Sequence, residues 1–149
     1  MQTSRCGICT IHNKIASQQA LEIYRGKLWL LRHHPEPAPM KGWLLLDSIR
    51  HIQSPINFTN EEAISWGLMV QKASDLVQKL THCERVYLIA FGEGAKHLHL
   101  HLIPRFEKNE MTNAWSIADH YRNVLKNTER AANSNDIARL VKEARTLFK

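Results

Sequence analysis

Apolar residues along this chain follow two rhythms, and each predicts a different kind of element. Short alternating or continuous runs predict strands at Leu21 to Tyr24, Lys27 to Arg32, Gly42 to Asp47, Val86 to Phe91 and His97 to Ile103. The first two flank Arg25-Gly26 and read as a hairpin. Apolar positions at spacings of three and four predict helices instead. Trp66, Met69, Val70, Ala73, Leu76, Val77 and Leu80 form one stripe, and Thr59-Asn60-Glu61-Glu62 ahead of it is a capping box that starts the helix. A second helix is expected over Ala114 to Lys126 with Trp115, Ala118, Tyr121 and Leu125 inward. After a polar break at Asn127 to Asn133, Ser134 is expected to cap a third, whose face carries Ile137, Leu140, Val141, Ala144, Leu147 and Phe148. A short helical stretch is expected near Asn13 to Gln19. His33 to Pro39 holds three prolines, which deny a ladder its donors, so it reads as a loop with His33 and His34 as loop residues. Strands, then a helix, then two strands and terminal helices give an α+β class rather than alternating βαβ units.

The last predicted strand is the chemically distinctive one. In Lys96-His97-Leu98-His99-Leu100-His101-Leu102-Ile103-Pro104-Arg105 the period of two puts His97, His99 and His101 on one face, neighbours about 6.7 Å apart. Leu98, Leu100 and Leu102 take the other face, where the long helix stripe is the expected packing partner. Pro104 should stop the strand or mark a sheet edge. An amphipathic strand needs polar residues at alternate places, but Lys, Thr or Glu would serve solvation as well as three imidazoles. An imidazole with the ordinary value near 6.5 is substantially unprotonated at neutral pH, so it can attack phosphorus, hold the group as a phosphoramidate and be displaced by water. A metal reading is the rival: three histidines could form an open zinc site for hydrolysis.

Composition narrows the picture without choosing among these readings. The 149 residues fit one domain. An apolar share of 44% and a charged share of 23% are globular values, and no apolar run approaches the roughly 20 residues of a membrane span. The first residues lack the apolar core of a secretory signal, and the three cysteines are an odd number, so reduced thiols in the cytoplasm are the expectation. Twenty basic against fourteen acidic residues leave +6, which favours anionic ligands, yet the charges are scattered without interleaved aromatics, so no specific nucleic-acid partner is expected. Cys6-Gly7-Ile8-Cys9 can place two thiolates on one tetrahedral metal or act as a redox pair, and Cys83 is expected to be a small packed residue.

The run His-Leu-His-Leu-His-Leu-Ile followed by Pro-Arg, and preceded by the glycine-bearing turn Gly92-Glu93-Gly94, resembles the signature of the histidine triad (HIT) family of nucleotidyl hydrolases and transferases. The resemblance covers about residues 6 to 105, with the helical extension from about 112 to 149 outside it. It implies an antiparallel HIT-like sheet with packed helices, commonly paired as a homodimer. It also implies attack by His99 on the α-phosphorus of a nucleotide, His101 hydrogen-bonding phosphate or leaving group, and His97 in an orienting role. The substrates implied are dinucleoside polyphosphates, nucleoside phosphoramidates and related adenylates, with no organic cofactor. Phosphate contacts fall to Gly92, Glu93 and Gly94. Many members carry Gln and Ser or Thr where this chain has Glu93 and Gly94, and the acidic or amide residue that often holds the ribose is not evident among His33 to Met40. A non-catalytic nucleotide-binding module is therefore the contrasting expectation. A zinc-bearing subset of the family uses a Cys pair, a histidine after the second long strand and the first triad histidine, here Cys6, Cys9, His51 and His97.

Overall fold

A computed structural model describes residues 6–13 and 19–149. Five strands, β1 (Glu22–Arg25), β2 (Trp29–His33), β3 (Leu44–Ser48), β4 (Arg85–Ala90) and β5 (His99–Arg105), form one antiparallel sheet in the order β1-β2-β3-β5-β4. Four α-helices accompany it among the described residues: α1 (Gly7–Asn13), α2 (Asn60–Thr81), α3 (Ala114–Leu125) and α4 (Ser134–Leu147). The class is α+β, as the element order implied. The stretch expected to be helical near Asn13 to Gln19 lies largely outside the described residues; the helix that is seen comes earlier, directly after Cys6.

Register decides which side chains share a face. Across β2, β3 and β5, Leu30, Asp47 and His99 form one row and Arg32, Leu45 and His101 the next. On the opposite face Leu31, Leu44, Leu46, Leu98, Leu100 and Leu102 join Met69, Ala73, Leu76 and Val77 of α2 and Ile137, Val141 and Ala144 of α4 in one core. The expected pairing of the α2 stripe with the leucine face is present, so the strand bearing the histidines is anchored from behind. Thr59 accepts from the Glu62 N–H while the Glu62 carboxylate accepts from the Thr59 N–H, and the same carboxylate holds Arg50 at 2.7 Å. Gly42, just before β3, has φ +87° and lies so close to Thr81 that a Cβ would meet that side chain at 2.4 Å, so only glycine fits the bend.

Several expectations need correction. Pro104 does not end the strand, because β5 runs to Arg105. Leu98 exchanges both its backbone bonds on the β3 side, with Ile52 and Ser48, so even-numbered residues of this strand turn their N–H that way. The β3 ladder finishes at the Leu44 and Leu102 pair, and the missing N–H of Pro104 therefore falls past its end. In α3 the phase differs: Trp115 and Leu125 are exposed, whereas Ile117 and Val124 are buried and Tyr121 is half-buried. Leu147 is also exposed. Asn133, not Ser134, caps α4, its side chain accepting from the N–H groups of Asn135 and Asp136. Cys83 is buried in the core as expected. His33 closes β2 fully buried, and His34 is buried beside it. No helix among the described residues is long and apolar enough to cross a membrane.

Candidate functional site

Two adjoining clusters occupy the face of the sheet opposite the main core. The first begins with α1, where Cys6 and Cys9, three residues apart, fall on one side of a single turn. His51 follows β3 and His97 precedes β5. Sγ of Cys6 lies 3.5 Å from Nδ1 of His97, and Sγ of Cys9 lies 3.4 Å from Nδ1 of both His51 and His97. The four donor atoms all sit within 4.8 Å of one another. Zinc–sulfur bonds near 2.3 Å and zinc–nitrogen bonds near 2.0 Å at tetrahedral angles separate such donors by about 3.6 Å, so the set fits that ion. Nε2–H of His97 donates to the Ser48 carbonyl at 2.8 Å, which leaves the Nδ1 lone pair for the sulfurs' side. Burial pushes His97 below its ordinary range and favours the neutral ring that metal coordination requires.

The second cluster is the remainder of the histidine row. His99 is half-buried, and its Nδ1–H donates to the backbone carbonyl of His97 at 2.5 Å. That bond assigns the tautomer and leaves Nε2 as a lone pair. His101 is buried, with its ring 5.3 Å from that of His99. Its Nδ1 accepts from the Trp43 indole N–H at 2.9 Å, and an indole only donates, so the neutral ring carries its proton on Nε2. Burial, reinforced by His99, His34 and Arg32, pushes His101 down to about 3. It is thus a neutral hydrogen-bond donor throughout the physiological range. An open metal site would need the three triad rings to converge. Instead His97 turns to the cysteines, and Nδ1 of His101 is occupied by Trp43.

The proposed phosphate turn lies between β4 and β5. Gly92, Glu93 and Gly94 are exposed there, and Glu93 and Gly94 border a cavity shared with Cys6, Gly7 and His51.

Several residues that the sequence did not single out for chemistry surround the row. Asp47, opposite His99, is fully buried; Arg32 Nε and Nη2 donate to its carboxylate at 2.6 and 3.2 Å, and His12 Nε2–H donates at 3.0 Å. Burial alone would raise Asp47, but Arg32 and His12 outweigh it and bring the carboxyl to about 2. Nη1 of Arg32 is buried without a hydrogen-bond partner among the described residues. His34 donates from Nδ1 to the Pro35 carbonyl at 2.7 Å and packs against Trp43, His101 and Tyr121, with burial driving it to about 4. His33 is a structural tie, accepting from the Gly42 N–H at 3.0 Å. One signal for Arg32 and Asp47 was present in the sequence, namely a charge at the end of each largely apolar strand.

No family model and no curated protein matches the sequence. Solved structures do. A HIT-like protein involved in cell-cycle regulation from Bartonella henselae superposes over 99% of this chain and 98% of its own, with TM-score 0.70 and 17% identity. A zinc-bound histidine triad family protein from Mycobacterium smegmatis matches over 95% and 94% with TM-score 0.68 and 15% identity. A hypothetical histidine triad nucleotide-binding protein from Sulfolobus tokodaii matches over 86% and 83% with TM-score 0.62 and 14% identity. This chain has the fold of the histidine triad proteins.

Proposed function

We propose that this chain is a histidine triad enzyme, a nucleotide phosphohydrolase or nucleotidyl transferase acting at an α-phosphate through a covalent adduct on His99. The observation that carries the reading is the bond from His99 Nδ1–H to the His97 carbonyl, which leaves the opposite nitrogen unprotonated on a half-exposed ring. In the first step Nε2 bonds to phosphorus as the bond from phosphorus to the leaving oxygen or nitrogen breaks, and that atom departs with its electron pair and takes up a proton. In the second, water or another acceptor hydroxyl attacks phosphorus, loses its proton and returns the electron pair to the imidazole. His101 Nε2–H donates to a phosphate oxygen or the leaving group, and the backbone N–H groups of Gly92, Glu93 and Gly94 meet the remaining negative charge.

Dinucleoside polyphosphates, nucleoside phosphoramidates and adenylates are the proposed substrates. Incubation with adenosine phosphoramidates and diadenosine polyphosphates, followed by alkaline quenching and intact-mass measurement, is expected to show one nucleotidyl group on the protein. A chiral α-phosphate should be processed with net retention, because two inversions occur. Inversion with no trapped adduct would exclude the covalent route. Tight nucleotide binding without turnover would select the non-catalytic reading, for which the Glu93 carboxylate at the phosphate turn is the favouring feature.

Cys6, Cys9, His51 and His97 would hold a structural zinc ion, supported by the donor geometry and by the zinc-bound structural neighbour. Four protein donors leave no position for substrate, so the ion would hold α1 against the sheet. Metal analysis of protein purified without chelators should return about one zinc per chain; its absence would overturn this assignment and leave His99 untouched. A homodimer is proposed through β4, one of the two edge strands of the sheet, where Leu88 is exposed.

A further inference from the structure

The same helix that brings the two cysteines to the metal cluster also reaches the floor of the histidine row. His12 stands one turn beyond Cys9 on α1, its ring set edge-on to His97 at 5.4 Å, and its Nε2–H bonds Asp47 at 3.0 Å. Asp47 is the cross-strand partner of His99. His97 joins the clusters a second time, since its Nδ1 faces the sulfurs while its carbonyl accepts the His99 Nδ1–H. At the far end of α1, Arg25 of β1 donates to the His12 carbonyl at 3.3 Å.

We propose that His12 is a positioning residue which, through Asp47 and alongside His97, makes the orientation of His99 depend on occupancy of the Cys6, Cys9, His51 and His97 cluster. The inference rests on the reading of His99 as nucleophile for its catalytic consequence, but not for the structural coupling itself. A helix of seven residues does not persist by its own hydrogen bonds. What places it is the thiolate pair with the buried Ile8 beside it at one end, and at the other the His12 bond to Asp47 together with Arg25 on the His12 carbonyl. A filled cluster would fix His97 on its Nδ1 side as the Ser48 carbonyl fixes it at Nε2–H, and with it the backbone carbonyl that accepts the His99 N–H. With the cluster empty, the thiolates no longer hold α1. The His12 contact is then weakened, and the Asp47 carboxylate, across the strand from His99, is left to Arg32. The His99 proton is then free to exchange between its two nitrogens, and the tautomer with the nucleophilic lone pair is only partly populated.

Nitrogen-15 NMR of the histidine-labelled full chain distinguishes this coupling from a merely structural role, because long-range couplings report which ring nitrogen of His99 carries the proton. In zinc-loaded protein His99 should be protonated at Nδ1. Stripping with a chelator should convert it to a mixture of tautomers, and added zinc should restore the first state. In the loaded protein His12→Phe should also yield a mixture and slow single-turnover formation of the His99 adduct about tenfold or more, with substrate affinity held. His12→Gln keeps an N–H donor for Asp47 and should stay within about twofold of wild type, since the loss follows the bond rather than the ring. A His99 tautomer unchanged by both stripping and His12→Phe overturns the proposal. So does a His12→Gln protein as impaired as His12→Phe. Should His12→Phe not hold its fold, His12→Leu takes its place in the same tautomer measurement, and an unchanged His99 tautomer there overturns the role of His12. Absence of any His99 adduct in wild-type protein counts against the proposed function, while the tautomer measurement still decides the coupling.

Discussion

Replacing His99 with alanine is expected to lower turnover by on the order of 10⁴-fold or more, because the atom that would bond phosphorus is removed and no neighbour can substitute for it. His101 cannot take over. Its Nδ1 is engaged by Trp43 and its Nε2 carries the proton, so it presents no lone pair to phosphorus. His34 does carry an unprotonated Nε2, but its ring lies beyond His101, 6.2 Å from it, rather than at the end of the row. Binding should survive, since the hydrogen-bond donors at His101 and the turn are untouched. The fold should survive as well, because His99 is half-exposed and the leucines behind it carry the packing. Steady-state kinetics and calorimetric titration with a nucleoside monophosphate separate the two quantities. Equal turnover in the substituted protein would falsify the assignment of the nucleophile.

The triad was legible in the sequence because a strand has a period of two and needs no partner to sort its faces. The long helix α2 was legible for a similar reason: seven apolar residues at three and four, with a capping box in front, specify both its phase and its start. Helix α3 shows how the same reasoning slips. Trp115 and Leu125 are the largest apolar residues at its two ends, and they drew the expected face toward themselves. The spacing of Ile117, Tyr121 and Val124 at four and three marks the inward face, from which Ile117 and Tyr121 pack with Trp43 and Ile103. At α4 the two candidate caps are adjacent, and only the side-chain geometry of Asn133 separates them.

The site divides along the same line. His99 and His101 could be put on one face because the strand period carries them, and Cys6, Cys9, His51 and His97 were expected together because the family resemblance implied that set. His12, Arg32 and Asp47 could not, because their meeting depends on how α1 docks and on the register of β2 with β3, which no local pattern fixes. His34 was masked by its setting, since prolines imply a loop and loops are ordinarily exposed. Here the loop folds under α3, and Tyr121 and Trp43 enclose the ring.

Arg32 makes the second large prediction, this time for stability. Arg32→Ala should destabilise the protein by about 3 to 5 kcal/mol, because it strands the Asp47 carboxylate in an interior with no water to replace the guanidinium. The lower end is expected, since His12 still donates one hydrogen bond. Removing both charges together, as in Arg32→Met with Asp47→Leu, should recover most of that loss, as apolar side chains of similar volume need no partner. The pH dependence has a defined sign. Asp47 falls from an ordinary value near 3.8 to about 2 on folding, so its contribution is fully present above the higher value and is lost as pH drops through the lower. Urea midpoints for the wild type should therefore decline between about pH 4 and pH 2, and the double variant should lose that part of the decline. A single Arg32→Ala protein as stable as wild type would show that the pair is not buried as described. A double variant no better than the single would place the loss in packing of the Arg32 stem rather than in the stranded charge.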